Sequence, residues 1–277
     1  MKKPLAALFS IALLLVMTAC GSNAANPTSH TATGEAQQAE STNTLEKIKQ
    51  AGKIVIGTTG NYRPFTYMDS NNQLVGYDIE WGNIIAEELG VKAEFVTGQF
   101  AGLIPGLVAG KFDVVMSGAN ITEERKKSID FSVPYAQDGA VAVIKKGSNA
   151  VSGVTDIKGK VVGVNAGSAF EAVVKQIGGY KELKEYPGAA ESFADLAAGR
   201  VDVVVIGIVA AGEYIKNSPS GQDIEIVGDI YEVRDIGVGI RKNDPLKAEI
   251  DKIIEAKKQD GTYQRLTEKY FGLTFDN

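Results

Sequence analysis

The sequence predicts an α/β protein of two lobes, each built on a mostly parallel sheet covered by helices. Two echoes and one alternation carry that expectation. The stretch "LVAGKFDVVMSG" (107–118) returns as "LAAGRVDVVVIG" (196–207), and "GKIVIGTTG" (52–60) returns as "GKVVGVNAG" (159–167). Around these echoes, short β-branched runs closed by Gly turns alternate with stretches of helical period, the pattern of strand, helix, strand, helix, strand. With 277 residues, 44% of them hydrophobic, the chain can bury one large core or two smaller ones.

The first residues form a separate object. Lys2 and Lys3 precede an apolar run (5–17) too short to cross a bilayer with any margin, and "MTAC" follows. Cys20 is the only cysteine, so it makes no intramolecular disulfide. Its place after Ala19 resembles a bacterial lipobox, which implies a lipoprotein signal peptide over 1–19 and acylation of Cys20. Residues 20–44 are polar and lack apolar period, so they are expected to be a disordered tether. The single histidine, His30, falls within it and is expected to be solvated.

In the first half, the strand at 52–60 leads to a helix over 78–89 with Asp78 as its cap, and then to a strand near 93–96. In the second half, Phe170, Val173, Val174 and Ile177 mark the corresponding helix, and a strand follows near 183–186. A helix then carries each copy of the longer echo into its Asp-Val-Val strand. The tail reads as one more strand (235–244) and a helical stretch over 246–271, interrupted at "DGT". It contains no third copy of the plan and must pack on an existing lobe.

Ligands of open parallel sheets gather at the carboxyl ends of the strands. That rule nominates 58–65, 117–122, 165–168 and the turn at Gly207. Tyr62 and Phe65 are either core or a flat apolar wall, and Phe100, at the end of the second strand, is placed to supply the opposite wall. Arg125, at a helix start, is either a solvated charge or a bidentate partner for a carboxylate. Free N–H groups at Gly167 and Ser168 would suit the same carboxylate. The formal charge of −5 without a basic cluster argues against a nucleic-acid partner. With no Gly-rich phosphate loop and no His or Cys cluster, no cofactor or metal is expected.

Three longer pieces, "YRPFTYMDSNNQLVGYDIE", "LIPGLVAGKFDVVMSGANITEERKKSIDFSVPY" and "KKQDGTYQRLTEKYFG", resemble in this order the bacterial extracellular solute-binding proteins of polar amino-acid uptake systems. The likeness runs over 45–272. It implies a two-lobed periplasmic-binding-protein-like clamp (type II), working outside the cytoplasm as a monomer that hands its solute to an ABC transporter permease. It implies two interlobe crossovers, near 135–141 and 230–236, with lobe 1 over 45–137 plus 234–277 and lobe 2 over 138–233. Tyr62 and Phe100 would sandwich the ligand's side chain. Ser117, Gly118 (through its backbone) and Asn120 would hold polar groups, and Arg125 with Ser168 would take the α-carboxylate.

Two departures stand against the family pattern. Many members carry an Asp after the second Asp-Val-Val strand to pair with the α-ammonium, and here that position is Gly207; another frequent Asp is Thr59 here. Asp138, Glu213 and Asp235 are the candidate substitutes; otherwise the solute is a betaine or a deaminated acid. The same fold serves periplasmic cyclohexadienyl dehydratases, which need an acid where this chain has Ala210, so a binding protein rather than an enzyme is expected.

Overall fold

The computed structural model describes residues 44–272; the expected signal peptide, His30, Cys20 and all but the last residue of the expected tether lie outside them. Thr44, expected in that tether, instead opens helix α1 (Thr44–Ala51), is buried, and hydrogen-bonds Asp244 and Arg241.

The first sheet runs in the order β5-β1-β6-β13-β7, from β1 (Lys53–Thr58), β5 (Lys92–Thr97), β6 (Val114–Val115), β7 (Ile129–Phe131) and β13 (Gly239–Arg241). The second runs β10-β9-β11-β8-β12, from β8 (Ala136–Lys145), β9 (Val161–Asn165), β10 (Glu182–Tyr186), β11 (Val203–Gly207) and β12 (Ile224–Ile236). The two orders superpose slot for slot. In each, three parallel strands are followed by an antiparallel one: β13 on β6, and β8 on β11.

The repeated Asp explains why the longer echo is written twice. Asp113 Oδ2 accepts from the Val55 N–H at 2.8 Å, and Asp202 Oδ2 accepts from the Val161 N–H at 2.7 Å. Each carboxylate clips the entry of its lobe's first strand to the entry of the echoed strand. The Gly before it, Gly110 or Gly199, takes φ of 74° or 71° and ends the helix in the left-handed turn that glycine adopts most easily.

Both faces of each sheet are covered, which is why inner strands such as β11 and most of β8 are apolar without alternation, while the edge strands β5 and β10 are not. Val203 and Val205 pack with α5 (Ala169–Ile177) through Phe170, Val173 and Val174. Val204 and Ile206 pack on the other face with α6 (Ala189–Ala197) through Phe193 and Leu196, and with α7 (Ile208–Asn217). In the first lobe, α2 (Tyr77–Glu88) covers one face with Tyr77, Trp81 and Ile85, and α3 (Phe100–Val108) covers the other with Leu103 and Leu107. The tail helices α8 (Leu246–Gln259) and α9 (Thr262–Phe271), separated at Gly261 (φ 83°), join the α2 face through Ile250, Ile254 and Leu266.

Three local expectations differ. Asp78 is not the cap of α2; Gly76 holds that position, and the Asp78 side chain is fully buried. Phe100 opens α3 instead of closing a strand. The segment after β1 forms a small antiparallel sheet of β2 (Asn61–Tyr62), β3 (Thr66–Met68) and β4 (Leu74–Val75), which the sequence did not reveal.

Candidate functional site

The carboxyl ends of the parallel strands in the two lobes face one cleft. From the first lobe it is lined by Thr59, Asn61, Tyr62, Phe100, Ser117, Gly118, Asn120 and Arg125. From the second it is lined by Asn165, Ser168, Ala169, Phe170 and Pro187. Among the described residues, no lining side chain is a carboxylate.

Two aromatic rings define its apolar part. Tyr62 lies parallel to Phe65, with centroids 5.5 Å apart and an interplanar angle of 8°. Phe65 is not a wall of the cleft: it is fully buried, and it backs Tyr62 while packing on Tyr77 and Phe271. Gly118 lets this stack form. Its φ is 59°, and a β-carbon there would come within 2.9 Å of the Tyr62 ring. The Gly118 N–H donates to Asp78 Oδ2 at 2.6 Å, so its amide is already engaged. Tyr135 donates to the other oxygen of Asp78 at 2.8 Å, tying this turn to the core.

Arg125 is drawn into the cleft. Thr122 caps α4 (Glu123–Lys126) through its hydroxyl and sets the direction of the guanidinium. Nη1 donates to the Asn120 carbonyl at 2.6 Å, Nη2 donates to the Gly167 carbonyl of the opposite lobe at 3.1 Å, and the group lies 5.0 Å from the Phe100 centroid. Burial, with the nearby charge of Arg234, pulls its pKa down to about 10, which still leaves it cationic at neutral pH. Among the described residues no carboxylate forms an ion pair with it.

Across the cleft, Ser168 caps α5. Its Oγ accepts from the Glu171 N–H at 3.1 Å, while Glu171 reaches back to accept from the Gly167 N–H. The Ser168 N–H donates to the Asn165 carbonyl at 3.1 Å. The two backbone donors expected to serve a carboxylate are therefore engaged, and what Ser168 can still offer is its hydroxyl proton. The lobes also meet where Asn61 donates to the Pro187 carbonyl at 3.0 Å.

Gly207 does not line the cleft, and its surroundings account for the missing acid. A β-carbon at this position would lie 1.9 Å from Asp138 Oδ2 and 2.9 Å from the Tyr62 hydroxyl. The Asp138 carboxylate, arriving from β8, fills the space in which a residue-207 side chain would begin. It is fully buried, accepts from the Gly139 and Val209 N–H groups at 2.9 and 3.2 Å, and receives the Tyr62 hydroxyl. Burial raises its pKa to about 7, with those donors opposing the rise. The other two candidates are engaged elsewhere: Glu213 pairs with Arg63 at 3.6 Å, and Asp235 accepts from Gln137 at 2.8 Å.

Sequence reasoning did not single out Asn61, Asn165, Ala169, Phe170 or Pro187 as lining residues. Asn61 and Asn165 lie within nominated strand ends, and Pro187 follows β10, so the strand-end rule reaches all three once that strand's end is known.

The family of bacterial extracellular solute-binding proteins, family 3, matches residues 54–273. The chain belongs to that family. Members of this family are solute-binding proteins. The L-cystine-binding protein of Escherichia coli K12 is 34% identical over 231 residues, 82% of this chain and 86% of that protein. An ancestral arginine-binding protein, solved bound to arginine and also bound to glutamine, is 42% identical, with a TM-score of 0.76 over 80% of this chain and 99% of that one. An ancestral amino acid-binding protein described as a precursor of cyclohexadienyl dehydratase is 36% identical, with a TM-score of 0.77 over 82% and 99%. The position where such a dehydratase would need its acid is Ala210 here, a buried residue of the α7 core.

Proposed function

We propose that this solute-binding protein is the extracytoplasmic component of an ABC importer and that it closes its two lobes on an amino acid. The observation that carries this reading is Arg125. A guanidinium enclosed in a cleft, held only by carbonyl oxygens and a ring face, leaves its charge uncompensated until an anion arrives. An α-carboxylate meets that need in bidentate form, with the Ser168 hydroxyl as a further donor.

Asp138 is the partner proposed for the α-ammonium. It brings a carboxylate to the spot from which an Asp at 207 would have projected, which favours an α-amino acid over a betaine or a deaminated acid. Tyr62 and Phe100 supply the apolar walls, and Ser117 and Asn120 complete the polar floor beside Gly118, whose N–H is taken by Asp78. The names of the relatives, which bind cystine and arginine, support the same class of solute.

The proposed lobes are 45–137 plus 234–277 and 138–233, hinged at β8 and β12. A permease partner, monomeric state and attachment to the outer face of the membrane through acylated Cys20 complete the reading. A thermal-shift panel of amino acids, glycine betaine and prephenate on residues 41–277 tests it. A solute at a thousand times its Kd adds about 4 kcal/mol, a shift of several degrees. A shift with an α-amino acid is the expected result; a shift with betaine or prephenate alone would replace the proposed class.

A further inference from the structure

Two polar atoms in the cleft have no hydrogen-bond partner although both are screened from solvent: Asn120 Nδ2 and Asn165 Oδ1. Asn120 is 3% exposed, and both residues line the cleft, one from each lobe. One offers a donor and the other an acceptor, and neither carries charge. A buried amide left unpaired costs far more than a paired one gains, so this pair favours a solute that carries both an acceptor and a donor of its own.

Charge balance narrows the class further. In the proposed pose, an α-carboxylate at Arg125 and an α-ammonium at Asp138 leave the site neutral. Among the described residues no lining side chain is a carboxylate, so none is placed to pair a second cation. The ring of Phe100, the obvious face for one, already holds Arg125 at 5.0 Å, so a ligand cation there would stand beside a like charge. The Thr59 hydroxyl is engaged with Ser117 at 3.0 Å.

The geometry points to a cleft that selects α-amino acids with no net charge and a terminal carboxamide or ureido group, with Asn165 as the residue that sets this choice against a cationic side chain. This inference rests on the amino-acid reading above. The ligand's carbonyl would accept from Asn120 Nδ2, and its amide N–H would donate to Asn165 Oδ1.

Citrulline and arginine make the sharpest comparison, because they share a shape and differ in an oxygen for a charged nitrogen. Isothermal titration of residues 41–277 with citrulline, arginine and glutamine is expected to show citrulline or glutamine binding at least tenfold more tightly than arginine. Asn165→Asp, which replaces a neutral acceptor by an anionic one, is expected to shrink that preference at least tenfold. A loss of packing alone would weaken all three solutes together. Arginine binding as tightly as citrulline would overturn the inference and leave the amino-acid reading in place. Binding of some other amino acid with neither amide ligand would do the same. Binding of no α-amino acid at all would remove both.

Discussion

Arg125 and Asp138 are the two charges that matter at the scale of single residues. Truncating Arg125→Ala removes the proposed carboxylate partner, and calorimetry should show a loss of about 2–5 kcal/mol of binding free energy. Asp138 and Gly207 form a steric pair. Gly207→Ala puts a methyl group 1.9 Å from a carboxylate oxygen and is expected to destabilise by about 1–3 kcal/mol. In Asp138→Ala that methyl meets open space, so a chemical-denaturation cycle should give a favourable coupling of about 1 kcal/mol or more. Additive losses would mean that the two side chains do not share one space. Asp138 was visible in the sequence as an acid close to a lobe junction, but nothing in the order of residues told it apart from Glu213 or Asp235. Only the packing of β8 against β11 brings it beneath Gly207. Tyr62 and Phe65 were inseparable for the same reason: both are aromatics in one loop, and the turn around Thr66 decides which ring faces the cleft and which supports it.

At the scale of elements, the strands that are apolar on both faces were the legible ones, because a continuous Val and Ile run has few other places to go. The two-residue strands β2 and β4 were not, since so short a pairing has no period of its own. The loop between β9 and α5 comes close to the opposite lobe at Gly167. Gly167 has φ of 75°, and a β-carbon there would lie 2.8 Å from the Ala101 backbone in α3. Gly167→Ala is therefore expected to prop the cleft open, beyond the cost of about 1–2 kcal/mol for the left-handed backbone. Small-angle scattering with saturating solute should show a larger radius of gyration than the wild type, with affinity reduced about tenfold or more.

For the whole molecule, two fully buried carboxyls, Asp78 and Asp138, have pKa values raised to about 7 by desolvation. In the unfolded chain both ionise near the ordinary value of about 4. Between those values the folded state holds more protons, so stability is greatest in acid and falls as pH rises from about 4 to 7. Urea denaturation at pH 5 and pH 8 should show a drop of a few kcal/mol, about 3 per group as an upper bound. Asp78→Asn should remove roughly half of that slope. A flat profile would mean that both groups stay ionised in the fold. If Asp138 holds the α-ammonium, solute affinity should climb over the same range in which stability declines.

The position of β13 has a consequence in time. It sits between β6 and β7, in the interior of the first sheet, yet it comes after every strand of the second sheet in the chain. As the polypeptide emerges from a ribosome or a translocon, residues 53–131 cannot join their strands into one sheet until Gly239–Arg241 arrive. The second sheet, whose strands span 136–236 without interruption, can assemble first. Pulsed hydrogen exchange during refolding should find β9 and β11 protected before β6 and β7. A chain destined for export is thereby kept from finishing its fold until almost all of it has been made.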